Sequence, residues 1–381
     1  MPTLRIDRRG FLAVGAAAIA AWNTRAAALS PPPTDWAPYV RSIAIDAAGM
    51  FGRWPGTPDG MLSDVDVADA RESGLTAVVL TLAPNGRFRF GADAFETTVR
   101  NIAHWERQIA ARPDTFLRID RADDIARARR ENKVGVIYGF QESSPIGEDL
   151  DRIDTFHALG LRVLQLTHNR RNLVGDGCME PGDAGLSAFG RGVIERCNTR
   201  RVLVDLAHGG RRTTREAIAA SKAPVLIGHT GCAALADLPR NTADAELRAL
   251  AERGGVVGIL FWPFLRVDGQ PMANDLLWHL EHAIDVCGED HVGIGSDNSI
   301  SPVAMTPEFV KDNTEFMQML LDDGTLAPGR STELVTFLPD LNHARRYETI
   351  AAMLSSRGHS DARIEKILGG NFARVMGEVW G

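Results

Sequence analysis

Two apolar runs in the centre of the chain each end in a histidine: VLVDLAH closes on His208 and PVLIGH on His229. The stretch between them, TTREAIAASK, has the length and composition of one short helix, so the unit reads strand–helix–strand. Neutral imidazoles at the C-terminal ends of neighbouring strands form one half of a divalent-metal site. The alternative is two polar residues that cap buried strands and bond to loop backbone. Other strand ends carry matching chemistry: Gln141-Glu142, His168-Asn169 and Asp297-Asn298. Several imidazoles and one or two carboxyl groups at one mouth suit hydrolysis by a metal that polarises a carbonyl and acidifies a water. Asp297 suits metal ligation, acceptance of a proton from that water, or both.

Something must bring these ends together. Short apolar runs at Ile43–Ala47, Thr76–Leu82, Val134–Phe140, Leu161–Thr167, Val202–Ala207, Pro224–Gly228, Gly255–Phe261 and His291–Ser296 read as eight strands. Helical patterns alternate with them at Val65–Glu72, Ala94–Ala111, Ala122–Glu131, Leu150–Leu159, Ala188–Asn198, Thr213–Ser221, Ala243–Glu252 and Leu276–Val286. Asp149 and Ser187 stand where helices should start, and Gly74, Gly160, Gly254 and Gly288 where they should stop. Eight such repeats predict an α/β fold, a (β/α)8 TIM barrel, whose active site lies at the C-terminal edge of the strands. Residues 306–381 read as extra C-terminal helices packed around the rim. No composition break divides residues 42–381, so they are read as one domain.

The chain has 381 residues, 44% hydrophobic and 24% charged, enough for one large barrel. A net charge of −7 gives no reason to expect nucleic acid or an anionic membrane as partner. No run of 18 apolar residues marks a conventional spanning helix. The N-terminus, DRRGFL followed by a weakly apolar stretch and Ala26-Ala27-Ala28, reads as a twin-arginine (Tat) signal over residues 1–28. Residues 29–41, with Pro31-Pro32-Pro33, read as a stiff linker. The Tat export machinery is thus an expected partner and the periplasm the expected location. Four scattered cysteines are too few for a disulfide scaffold; Cys178 and Cys232 either pair or remain buried thiols. His104, His157, His279 and His282 fall within predicted helices as packing or surface residues, and His343 and His359 have no evident partner.

In this order, these residues resemble the membrane (renal) dipeptidase family of zinc-dependent, amidohydrolase-type barrels. The likeness runs from about Asp149 to Asn298 and resumes at Ile364–Arg374. LGLRVLQLTHN, GLSAFGRGVIERCN, VDLAH, PVLIGHT, LPRNTADAELRALAERGGVVGI and HVGIGSDN carry it. The resemblance implies that His208 and His229 bind metal and that Asp297 ligates it and moves protons. It implies that His168 steadies the substrate or its tetrahedral intermediate, with Asn169 beside it, and that Arg240 binds the substrate carboxylate. The implied reaction is dipeptide hydrolysis, and a homodimer is a family-level expectation.

The sequence also departs from the family. The H-x-D pair that binds the first metal at the end of the first strand is replaced by Ala48 and Met50, and the bridging glutamate by Gln141, with Glu142 next to it. A neutral amide bridges two cations poorly. One zinc ion on His208 and His229, with Asp297, Glu142 or Gln141 as a further ligand, is therefore expected rather than two; an empty site is the other outcome. Three functions follow: an exported hydrolase of dipeptides or similar small amides, an enzyme that processes a peptide-derived natural product by other chemistry, and a metal-free pseudo-enzyme or binding protein.

Overall fold

The computed structural model describes residues 35–52, 60–85 and 93–381. The twin-arginine segment lies outside them. All eight predicted strands form, as β1 (Ile45–Met50), β2 (Ala77–Thr81), β4 (Val134–Phe140), β5 (Leu161–Gln165), β6 (Leu203–Asp205), β7 (Leu226–Thr230), β8 (Val256–Ile259) and β9 (Val292–Ile294). They pair in parallel in that order. Two short strands escaped prediction. Of these, β3 (Phe116–Arg118) pairs with the lower half of β4, and β10 (Asn298–Ser299) pairs with the upper end of β1. Through β10 the chain leaving β9 returns to β1, and the Asp297 N–H donates to the Ala48 carbonyl at 2.6 Å. The eight strands thus close into a barrel.

Helices α1 (Asp64–Glu72), α2 (Ala94–Ala111), α3 (Ala122–Arg130), α4 (Asp151–Ala158), α5 (Ala188–Arg200), α6 (Arg211–Ala220), α7 (Asp244–Glu252) and α8 (Ala273–Cys287) alternate with the strands. Ser187 caps α5 by accepting from the Gly190 N–H, as its position predicts. Asp149 lies one residue further out than a cap and accepts from the Asp151 N–H instead. The four glycines read as helix stops all take positive φ, between 68° and 106°.

The C-terminal region is helical as predicted, with α9 (Pro307–Asp322), α10 (Arg346–Ser356), α11 (Asp361–Glu365) and α12 (Asn371–Trp380), but it does more than line the rim. Phe372, Val375, Met376, Val379 and Trp380 of α12 pack against Ile45, Ala77, Ile137, Leu203, Leu226 and Val256. These are the lower ends of the strands, so α12 forms the floor of the barrel, opposite the functional mouth. Gly369 makes this fit: a Cβ there would lie 2.6 Å from the Ile45 backbone nitrogen. The assigned linker is also shorter than read. Trp36 and Tyr39 are buried, and the Tyr39 hydroxyl donates to the Ser73 carbonyl at 2.6 Å.

All four cysteines are free thiols, so Cys178 and Cys232 do not pair. Cys232 instead packs on His279, a fully buried residue of α8. Its Nδ1 accepts from the Cys232 N–H at 2.8 Å, and Nε2–H donates to the Leu265 carbonyl at 3.0 Å. Burial pushes the His279 pKa down to about 4. The folded state keeps this ring neutral while the unfolded chain protonates near 6.5, so the stability it contributes is complete above pH 6.5 and falls as pH drops toward 4. Between pH 7 and pH 5 the parent is expected to lose about 2 kcal/mol through His279, from roughly 1.4 kcal/mol per pH unit. Urea unfolding at the two pH values measures this against His279→Gln, whose loss should be smaller; equal losses would contradict it.

Candidate metal centre and active site

His208 lies just beyond β6 and takes a left-handed backbone, φ 60°. His229 is a fully buried residue within β7. Asp297 follows β9, also left-handed, φ 56°. Such conformations cost a non-glycine residue free energy and collect at functional sites, where the surrounding structure enforces them. His208 Nε2 lies 2.9 Å from His229 Nε2, and His229 Nε2 lies 3.9 Å from Asp297 Oδ2. One donor atom from each of the three residues fits within 4.8 Å of the other two.

Burial, reinforced by the Arg240 charge, holds both histidines well below their ordinary pKa, so both rings are neutral near pH 7. His208 Nδ1 faces Asn169 Oδ1 at 2.7 Å. An amide oxygen only accepts, so Nδ1 carries the proton and Nε2 keeps its lone pair. Burial pushes the Asp297 carboxyl up to about 6, opposed by Arg240 and by the Gln141 hydrogen bond. Two imidazole nitrogens and one carboxylate oxygen, with room for further ligands, are the donor set of an open catalytic zinc site. The residues present therefore fit one ion.

Gln141 reaches the group but presents its amide N–H to Asp297 Oδ1 at 3.2 Å. Its oxygen accepts from Asn85 Nδ2 at 2.8 Å, so the amide links Asn85 to Asp297. Glu142, the other expected ligand, does not come to the group. Its carboxylate accepts from the Ser143 and His168 N–H groups at 3.1 and 3.2 Å. β4 ends at Phe140 and the chain bends at Gln141, so the side chains of Gln141 and Glu142 leave the strand in different directions. Ala48 and Met50 bring no donor.

The His168 ring stacks on His208, centroids 4.0 Å apart, at the edge of the group. Asn169, expected to touch substrate, also orients His208, and its amide donates to Thr325 Oγ1 at 3.3 Å. Arg240 is 4% exposed and donates from Nη2 to the His229 carbonyl at 2.9 Å. Among the described residues it forms no ion pair. A cleft of about 400 Å³, lined by Cys178, Glu180, Asp183, Arg211, Asp237 and Pro239, opens beside the group. The Cys178 N–H donates to the His208 carbonyl at 2.7 Å. Away from the mouth, His282 pairs with Asp244 and His359 with Glu281 on the outer helices.

Two further residues, Asp46 and Asp205, escaped prediction although each places a carboxylate inside an apolar strand, IDAAG and VDLAH. Both are buried beneath the group. Asp205 sits so close to β7 that a Cβ on Gly228 would lie 2.4 Å from its Oδ2. Gly228→Ala is expected to destabilise the fold by about 3 kcal/mol through overpacking, seen as a lowered melting temperature. An unchanged melting temperature would count against this packing.

A parallel eight-stranded barrel with two imidazoles and a carboxylate at the C-terminal edge defines a barrel of the metallohydrolase type. The chain belongs to the membrane dipeptidase family, peptidase family M19, whose sequence profile matches residues 55–327. That match begins beyond β1, the strand in which Ala48 and Met50 stand. An uncharacterized dipeptidase of Schizosaccharomyces pombe is 31% identical over 63% of this chain and 59% of its own length. Dipeptidase tcpJ of Claviceps purpurea is 28% identical over 68% of this chain and 54% of its own. The chain thus spans less than two thirds of the length of these curated relatives. A crystal structure of an amidohydrolase from Pseudomonas aeruginosa superimposes with a TM-score of 0.75, at 29% identity, over 90% of this chain and 98% of that one.

Proposed function

We propose that the chain is an exported hydrolase of dipeptides or similar small amides that works with one zinc ion. The observation that carries this is the grouping of His208, His229 and Asp297 with a buried Arg240 that forms no ion pair among the described residues. An unpaired buried guanidinium is costly unless an anion joins it, and the C-terminal carboxylate of a dipeptide is such an anion. A divalent ion held by the three ligands supplies polarisation of the scissile carbonyl. Arg240 anchors the substrate carboxylate, and His168 donates to the oxygen that gains charge. Asp297 takes the proton from the attacking water and returns it to the leaving amine. The family membership and the dipeptidase names of its curated relatives support this reading.

Metal analysis of residues 29–381 by mass spectrometry, together with a dipeptide panel, tests it. One zinc per chain with hydrolysis is expected. Two ions would overturn the single-metal site, and no metal would leave a binding protein or pseudo-enzyme. Periplasmic export rests on the twin-arginine segment. Arg8→Lys with Arg9→Lys is expected to hold the protein in the cytoplasm on fractionation; export of the double variant would remove this part of the proposal.

A further inference from the structure

Asp46, 1% exposed, and Asp205, 4% exposed, do the same thing on opposite sides of the ligand group. Oδ1 of Asp46 accepts from the Ala48 N–H at 3.1 Å and the Ser296 N–H at 2.8 Å, and Oδ2 accepts from the Ser296 hydroxyl at 2.5 Å. Oδ1 of Asp205 accepts from the Ala207 N–H at 2.9 Å and the Gly228 N–H at 2.7 Å. Each carboxylate therefore ties two neighbouring segments together: β1 to the chain just after β9, and β6 to β7. The residues tied stand immediately before the ligands. Ser296 precedes Asp297, Ala207 precedes His208, and Gly228 precedes His229.

Glycine makes room at both places. A Cβ on Gly49 would lie 2.9 Å from Asp46 Oδ2, just as one on Gly228 would crowd Asp205. Among the described residues neither carboxylate forms an ion pair, so each spends its accepting capacity on backbone and hydroxyl donors. Carboxylate hydrogen bonds to backbone N–H groups are charge-assisted and strong. Two of the three ligands, His208 and Asp297, have strained left-handed backbones that need such a restraint.

We propose that Asp46 and Asp205 are positioning residues: two carboxylate staples that together fix the backbone of all three metal ligands. This rests on the single-metal reading above. It accounts for Asp46 being present in a strand whose own ligand positions hold Ala48 and Met50. Asp46 serves Asp297 across the closing seam of the barrel, and that duty does not depend on the positions that follow it in β1.

Cobalt(II) titration of the full domain tests this, read by chelator competition and by the visible absorption band of the bound ion. Asp205→Ala and Asp46→Ala are each expected to weaken cobalt binding 10- to 100-fold and to alter the band, the range found when partners of metal ligands are removed. Asp205→Asn keeps an oxygen able to accept both N–H groups without the charge, so it should recover part of the loss; it also carries the test if the alanine variant fails to fold. Asp124→Ala is the structural control. Asp124 is also buried, pairs with Arg127 at 3.3 Å and accepts from two backbone N–H groups at the start of α3, away from the ligand group, so its loss should lower stability and leave cobalt affinity unchanged. Staple variants that bind cobalt like the parent, or a control that weakens it equally, would overturn the inference while leaving the single-metal site standing. A parent that takes up no cobalt would instead remove the single-metal reading, and the staples with it.

Discussion

Replacement of His208 by alanine is expected to remove the bound ion and at least about a thousandfold of dipeptide turnover, a loss of about 4 kcal/mol in transition-state stabilisation. The size follows from the small donor set. Among the described residues only His208, His229 and Asp297 converge as such a group, so none of these offers a spare ligand when one imidazole is removed. Alanine also tolerates the left-handed backbone at this position poorly, which confounds a plain activity assay. His208→Asn separates the two effects, because asparagine accepts that conformation. Both variants should lack metal and turnover, while the asparagine variant melts at or above the temperature of the alanine variant. Turnover near the parent level in either one would place the chemistry elsewhere.

Combining Ala48→His, Met50→Asp and Gln141→Glu is expected to raise the metal content from one ion per chain to two. Ala48 lines, with Gln141, Asp205 and His229, a small cavity of about 10 Å³ in the mouth of the barrel. An imidazole there, an aspartate two residues on and a carboxylate in place of the Gln141 amide restore the donors that the family resemblance places around a second ion. No single change should suffice, since one added ligand does not hold a cation taken out of water. Mass spectrometry of the purified protein decides it. A triple variant that still carries one ion would mean that the mouth has changed shape as well as donors.

Much of the architecture was legible because short, nearly continuous apolar runs alternate with helical stretches eight times. The strand-end positions of His208, His229 and Asp297 followed from that pattern alone. Other features depend on information that no local window holds. The strands β3 and β10 are three and two residues long, too short for any periodicity, yet β10 closes the barrel. Glu142 and Gln141 are equally plausible ligands in one dimension; only the point at which β4 ends shows that Glu142 turns to loop backbone. Asp46 and Asp205 drew no prediction, although a carboxylate in an apolar run is itself a signal that a particular partner awaits it. Trp36 and Tyr39 were assigned to a linker by their proximity to Pro31-Pro32-Pro33, yet their aromatic surface is buried in the fold.

The floor formed by α12 makes assembly of this barrel a long-range event. Ile45 opens the first strand, and the segment that seals its underside, from Gly369 through Trp380, comes from the other end of the described sequence. The lower core therefore closes only after one of the largest loops available to the chain has been drawn shut, an arrangement of high contact order that favours slow folding. The same geometry joins the first strand and the last helix into a single cooperative unit, so that fraying of α12 opens the base of every strand at once.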